Sequence, residues 1–531
     1  MNKKIYLAGV LSATMALAAC EGDDGSNGID GADGADGFNS LIAFRDIPKG
    51  DAVCLGGGLA VDSGLDTNAN DTLDESEVTA TEIVECEATP TVRALHASPD
   101  APAVNIIVND VEALSGVDYS QGSGFLPVAE ENTIQVQAIV PDGSNPTVID
   151  TPLDLDYNTE ASVLAVGNVG SPAGIFALPI INPSDSRITE GFFRAQVVHA
   201  APSVGAVNVY VTAFDDTLAD NAPVNGTDTP LQFEDYTEQL EVPEGDYQIR
   251  ITVDGDDTLT AVFDSGEIPL PAGADLMIVA IENTGPGASP VDLIVLDGAT
   301  AAAIEDVNTP ASAIAVHLSP DAPAVDILAD VNGTAEDEAI PLVRNVAFGE
   351  FCDLNAVPAP GDYTISVVAN ADNSILATQF PLVVDPSDEA TAIVSGFLGM
   401  GLTPAITALP QGENRRSIVT ETKLRVTHAS PSTGLVDIYL VPAGTDINTV
   451  EPNFADVPFG ADTTQLSVAN DIYDAIVTGA DSKTPAIELL DLDFTAGGSV
   501  LNVVARDLAA GGLDPQPLII DYTDVPVCPT P

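Results

Sequence analysis

The chain has no tryptophan, and aromatic residues make up only 5% of its 531 residues. Sugar-binding modules usually stack their ligands on aromatic faces, so a carbohydrate-binding role is weakened from the start. Positive charge is also scarce. There are 15 Lys and Arg against 81 Asp and Glu, a net charge of −66 at pH 7. Such a surface repels nucleic acid and anionic membranes, and no basic footprint is present. No Gly-rich phosphate loop lies between a strand and a helix, and no dinucleotide fingerprint occurs. Helical periodicity of useful length is missing. The apolar run Ile5 to Leu17 is too short to span a bilayer. Histidine occurs four times and cysteine five.

Those four histidines all stand in one motif. They are His96 in HASPDAPAVNI, His199 in HAAPSVGAVNV, His317 in HLSPDAPAVDI and His428 in HASPSTGLVDI. Their spacings are 103, 118 and 111 residues. Most of the chain is therefore one domain written four times. From about residue 90 the pattern is strand after strand: VNIIV, TIQVQAIV, ASVLAVGNV, VNVYV, YQIRITV, DLMIVAIE, YTISVVA and SVLNVVA. These runs are short, β-branched and bounded by Gly, Pro, Asp and Asn. Repeats of this length with about seven strands imply an all-β fold, a tandem array of four immunoglobulin-like β-sandwiches. The expected boundaries are 89–190, 191–309, 310–415 and 416–531. Tandem domains with modest interfaces behave nearly independently, so each copy is expected to melt alone. Copies one and three share one form of the motif; copies two and four share another, with Tyr210 and Tyr439 after it. A two-domain unit has been duplicated.

The N-terminus carries Lys3 and Lys4, the short apolar run, and then Leu17-Ala18-Ala19-Cys20. This resembles the lipobox of bacterial lipoproteins. The resemblance implies a signal peptide over 1–19, lipidation of Cys20, and, with Glu21 rather than Asp next, an outer-membrane address on the cell surface. Residues 20–37 place Gly at every third position from Gly22 to Gly37. The period is that of collagen, but the run is short and lacks Pro, so a flexible acidic tether is preferred to a trimeric stalk.

Export places the other cysteines in an oxidising compartment. Cys54, Cys86, Cys352 and Cys528 allow three pairings. Cys54 and Cys86 bracket one small module, residues 38–88, and are expected to pair, which leaves Cys352 with Cys528. Inside the module, Asp66, Asn68, Asn70, Asp74 and Glu77 match the oxygen positions of a calcium loop, with Thr72 offering its carbonyl. Successive oxygens must point inward to wrap one cation. Asp71 stands where that template wants Gly, at a position needing positive φ, which Asp tolerates. Calcium is the expected cofactor; a merely acidic turn is the alternative.

The repeats resemble the family named as domain of unknown function 4397, over residues about 90–525 and most closely in copies one and three. The module resembles small uncharacterised modules that follow Gly-rich tethers in bacterial surface lipoproteins. The resemblance implies an exported surface β-sandwich and brings no catalytic residues. Each copy has one His, where a transition-metal site wants several ligands together, so the imidazole is expected to pin its own Ser-Pro or Ala-Pro turn. Ser98, Ser319 and Ser430 follow their His by two, but Ala201 replaces Ser in copy two, against a Ser-His-Asp hydrolase. Acidic pairs such as Asp215 with Asp216, or Asp491 with Asp493, read as solvated surface rather than as a glycosidase pair. The reading is a non-catalytic lipid-anchored rod for adhesion, cell-surface or matrix assembly, not an enzyme. Its partners would be the membrane, through the anchor, and a surface protein or polysaccharide, with no nucleic acid. A glycan- or polymer-binding module is the runner-up, a hydrolase the least favoured.

Overall fold

In the computed structural model the period-two pattern becomes, among the described residues, 35 strands and three single 3-10 turns. The structure describes residues 37–531 apart from 185–186, 228, 257, 332–338, 355–360, 370–375, 510–511, 513 and 529–531. Among the described residues there is no α-helix, hence none long and apolar enough to cross a membrane. Cys20 and the Gly-rich segment 22–36 lie outside the described residues. The chain divides into two compact units, 1–86 and 87–531.

The first unit is a three-stranded antiparallel sheet of β1 (Asn39–Ile47), β2 (Gly58–Asp66) and β3 (Val78–Cys86). Its core is Ile47, Cys54 and Ala60. So small a core supplies little stability, and the Cys54–Cys86 disulfide closes the sheet covalently.

The second unit holds four copies of eight strands each, one more than the sequence pattern suggested. In the first copy these are β4 (Thr91–His96), β5 (Val104–Val108), β6 (Val111–Val117), β7 (Leu126–Pro127), β8 (Glu131–Ala138), β9 (Thr147–Asp154), β10 (Thr159–Gly167) and β11 (Ile175–Pro183). They form two sheets, β11-β10-β4-β7 and β6-β5-β8-β9. The first strand runs parallel to the seventh, with His96 opposite Ala165. The other copies repeat this parallel pairing, in copy two with the sixth strand and in copies three and four with the seventh: His199 lies opposite Ala280, His317 opposite Val394 and His428 opposite Ala505.

The two sheets of a copy differ in burial. Strand β8 alternates, burying Asn132, Ile134, Val136 and Ala138 and leaving the residues between them more open, as a sheet with one wet face should. Strand β10 is buried continuously from Ala161 to Gly167. Its outer face is covered by the next copy. Leu95, Leu164, Val166 and Ile180 of copy one form a single cluster with Met277, Val279, Ile281 and Ile294 of copy two. Ile314, Val316 and Ile393 of copy three do the same with Val504 and Ile520 of copy four. The duplicated two-domain unit is thus a physical object, two sandwiches joined through their histidine-bearing sheets.

This corrects the expectation of independent copies. The histidine strands and their parallel partners are largely buried on both faces, so each carries a second layer. Polar bonds cross the same faces. Arg93 donates to Ser162 Oγ (2.8 Å) within copy one and to the Leu296 carbonyl of copy two (3.2 Å). Asn502 of copy four donates to Gln411 Oε1 of copy three (2.8 Å). The Cys352–Cys528 disulfide ties the tail behind copy four to copy three.

The simple file of four sandwiches is also corrected, because copy four's leading segment reaches back to copy one. The Arg416 guanidinium donates to the Pro99 and Ala101 carbonyls (3.2 and 2.7 Å) and pairs with Asp118 at 2.5 Å. The Val419 amide donates to the Asp100 carbonyl (3.0 Å).

Candidate functional site

Each histidine ends a strand at the point where the chain turns into the Pro-containing loop. All four rings are buried. Nε2 lies 2.9 Å from the Pro102 carbonyl oxygen in copy one, 3.0 Å from that of Gly205, 3.0 Å from Pro323 and 2.8 Å from Gly434. A carbonyl can only accept, so Nε2 carries the proton. Nδ1 accepts a longer bond from the amide two residues on: Ser98 (3.3 Å), Ala201 (3.3 Å) and Ser319 (3.4 Å). An amide can only donate, so this imidazole is neutral. Burial lowers the pKa of all four below the ordinary 6.5.

A second loop completes the clasp, and sequence reasoning missed it. The His96 amide donates to the Gln121 carbonyl, and the His96 carbonyl accepts from Ser120, both at 2.9 Å. Glu234, Gly349 and Gly460 make the second bond in the other copies. All four donor residues of this loop have positive φ: 67°, 79°, 85° and 85°. The residue before each is aromatic: Tyr119, Phe233, Phe348 and Phe459. Three of these rings stand edge-on to their histidine, with centroids 6.3 Å away. The available signal was an aromatic residue 23 to 34 positions after each His, a spacing too variable to register as part of the motif.

Carboxylates lock the turn to the loop after the parallel strand. Asp100 accepts from the Val169 and Gly170 amides (2.7 and 2.9 Å), and Asp321 from those of Leu398 and Gly399 (2.7 and 2.9 Å). In copies two and four the polarity reverses. Glu282 and Asp507, on the far loop, accept from the amides of Ser203 (3.1 Å) and Ser432 (3.2 Å).

The motif serines are not poised as nucleophiles. Ser98, Ser319 and Ser430 are fully buried; Ser319 Oγ donates to the Gly396 carbonyl (2.7 Å), and Ser430 Oγ to the Asp507 carboxylate. The acidic pairs serve the backbone: Asp215 has positive φ in a turn, Asp491 has positive φ at a register shift within its strand, and Asp493 accepts from the Thr495 amide and hydroxyl. A polar cavity of about 370 Å³ lies between copies one and four, lined in part by Asp118, Arg416, Glu421 and Lys423. Burial, with Arg416 nearby, lowers the Lys423 pKa to about 8.

In the first unit the β2–β3 connection gathers the six predicted loop residues. Asp66 accepts from the Asn70 and Asp71 amides (3.1 and 2.8 Å). Glu77 accepts from the Thr67 and Asp74 amides (2.7 and 3.1 Å). Asp74 accepts from the Asn68 and Asn70 side-chain amides (2.7 and 2.9 Å). The Thr72 amide bonds Asn70 Oδ1 (2.8 Å). Asp71 has φ of 58°, the conformation the template requires there. Among the described residues no three His, Cys, Asp or Glu side chains stand together as a ready metal cluster; the loop's remaining oxygens come from Asn and the main chain.

The family described as Domain of unknown function (DUF4397) matches residues 90–210, 212–328 and 311–439. A second family, Domain of unknown function (DUF7151), matches residues 39–85. No curated protein matches the chain. Among solved structures, the fimbrial anchor protein Mfa2 from Porphyromonas gingivalis is similar at 14% identity, over 42% of this chain and 98% of that one, with a TM-score of 0.21.

Proposed function

This chain belongs to the DUF4397 family, and from that premise we propose that it is a non-catalytic scaffold held at the outer face of a bacterial outer membrane. One observation carries the reading. In every copy the motif histidine gives its Nε2 proton to its own turn, and the neighbouring carboxylates bond main-chain amides. Two of the motif serines, Ser319 and Ser430, are likewise engaged in holding shape. The lipobox ending at Cys20 supplies the anchor, and the −66 charge keeps the array soluble. Adhesion or matrix assembly is the work such an array suits. The Asp66–Glu77 loop would take one calcium ion and stiffen the module nearest the anchor.

Fractionation tests this. Cys20→Ser should move the protein from the membrane fraction to the soluble one, and protease added to intact cells should degrade the wild type. Unchanged membrane association, or full protection in intact cells, would remove the surface anchor from the proposal.

A further inference from the structure

Two structurally equivalent turns differ in what covers them. In copy one the turn after His96 lies under Arg416 and Val419, and Ala101 and Pro102 are buried. In copy three the same turn is open: Asp321 and Pro323 are exposed and Ala322 half-buried. Beside it stands an uncharged apolar loop. Met400 is fully exposed and Leu402 is 49% exposed, and the loop is fastened to Asp321 through the Leu398 and Gly399 amides. The equivalent loop in copy one has Val419 beside Gly170 and carries Ser171, Pro172 and Ala173 where copy three has Met400, Gly401 and Leu402.

The arginine that covers copy one also has an equivalent. Arg416 precedes His428 by 12 residues, and Arg187 precedes His199 by the same 12. Arg187 is exposed. The chain thus holds a filled socket with its arginine, an open socket, and an exposed arginine at the position equivalent to Arg416. We propose that the open socket on copy three receives Arg187 of a second copy of this chain. The geometry is the one the chain already uses between its own two halves.

The chemistry of the open socket fits. Pro320 and Ala322 offer the carbonyls that Pro99 and Ala101 offer to Arg416. The counter-charge is kept but moved. Ala347 replaces Asp118, while Glu350 replaces Gln121. Gln121 and Glu350 hold the same main-chain amide in their copies, at 3.1 and 2.9 Å. Glu350 is exposed, ready for a bidentate guanidinium. Phe348 already carries Arg506 over its ring, at 5.2 Å, so the incoming arginine relies on the carbonyls and Glu350. The main-chain bond from Val419 to Asp100 can be made by any residue, including Glu190 at the matching position. Met400 and Leu402 supply the apolar area. Arg187 and the socket are different surfaces, so the contact is head-to-tail and extends into open chains. Repulsion between copies of charge −66 is screened at high salt, where the Debye length shrinks to about 3 Å near 1 M.

The proposal names a partner for the assembly role proposed above and rests on it. The test reads self-contact alone, so its failure leaves the surface reading to the fractionation experiment. Sedimentation velocity is run on the full chain carrying Cys20→Ser, so that no acyl group drives association, in high salt and over a wide concentration range. The expected result is a mean mass that rises with concentration to beyond two chains. Arg187→Glu and Met400→Asp, both at exposed positions, should each hold the protein at one chain without changing its melting temperature. An equimolar mixture of the two variants keeps one good arginine and one good socket, and should stop at dimers. A chain that stays monomeric throughout, assembly that survives in both variants, or a mixture with no dimers would each overturn the proposal.

Discussion

His96 Nε2 and the Pro102 carbonyl oxygen lie 2.9 Å apart, and the same bond recurs in every repeat. Deleting one imidazole orphans a buried carbonyl and empties a buried site, a cost of roughly 1–3 kcal/mol for the lost bond alone. His317→Ala should therefore lower the stability of copy three. Copy three shares a buried cluster with copy four through Ile314, Val316, Ile393, Val504 and Ile520, so the two should unfold together. Calorimetry should show one transition moving and the transition of copies one and two moving less. Added zinc should leave both unchanged. A shift confined to one quarter of the unfolding enthalpy would contradict the paired architecture.

The same bonds set a pH dependence. Burial depresses the histidine pKa values below 6.5, so the folded state disfavours the proton. Their contribution to stability is complete above the unfolded value near 6.5 and is lost as pH falls through the folded values. The slope is at most about 1.4 kcal/mol per pH unit for each histidine. Buried carboxylates act oppositely. Burial raises Glu160, Asp275 and Glu389, which favours folding at low pH and less as pH rises. The clean measurement is a difference: His317→Gln should show a shallower loss of melting temperature between pH 7 and pH 5 than the wild type. Parallel curves would refute the neutral-imidazole assignment.

Much of this was legible beforehand. The four-fold repeat, the all-β class and the positive φ at Asp71 all follow from local patterns, because strand periodicity and turn chemistry act over a few residues. The pairing of copies was half legible. ASVLAVGNV and DLMIVAIE are apolar on both faces, a signal of double burial, yet nothing local says which layer covers them. The Arg416 clasp on Ala101 bridges 315 residues and left no trace in either segment read alone. The aromatic loop opposite each histidine escaped for a related reason: insertions between the strands vary its distance from the motif.

Asp292 offers a test on the first pair. Burial, with Glu305 and Asp306 close by, pushes its pKa up to about 7. The cost of burying this group is absent below the ordinary carboxylate value of 3.8, where both states hold the proton; it builds as pH rises from there to about 7 and is constant above. Asp292→Asn should raise the melting temperature at pH 8, by an amount corresponding to at most about 4 kcal/mol, by less than half of that at pH 5, and little below pH 4. Equal effects at both pH values would show that the group does not titrate in this range.

The loop from Asp66 to Glu77 supports the last prediction. Its carboxylates are held by hydrogen bonds within the loop: Asp74 is bridged by the side-chain amides of Asn68 and Asn70, and Glu77 closes the far end on Thr67 and Asp74. Hydrogen bonds, first the one from the Thr67 hydroxyl, lower the Glu77 pKa, so it is ionised and available at neutral pH. Calcium would displace the two amides and draw the oxygens to about 2.3–2.6 Å. Calorimetry on residues 38–88 should show one-site binding with a dissociation constant in the range of about 0.1–1 mM, as extracellular modules have. Glu77→Ala removes both charge and clasp. Glu77→Gln keeps the shape and an acceptor oxygen but loses the charge, so it separates ligation from folding. Both should weaken binding, and magnesium should compete poorly because it demands a tighter octahedral shell. Absence of binding at several millimolar calcium would leave the loop as an Asx-rich turn stabilised by its own amides.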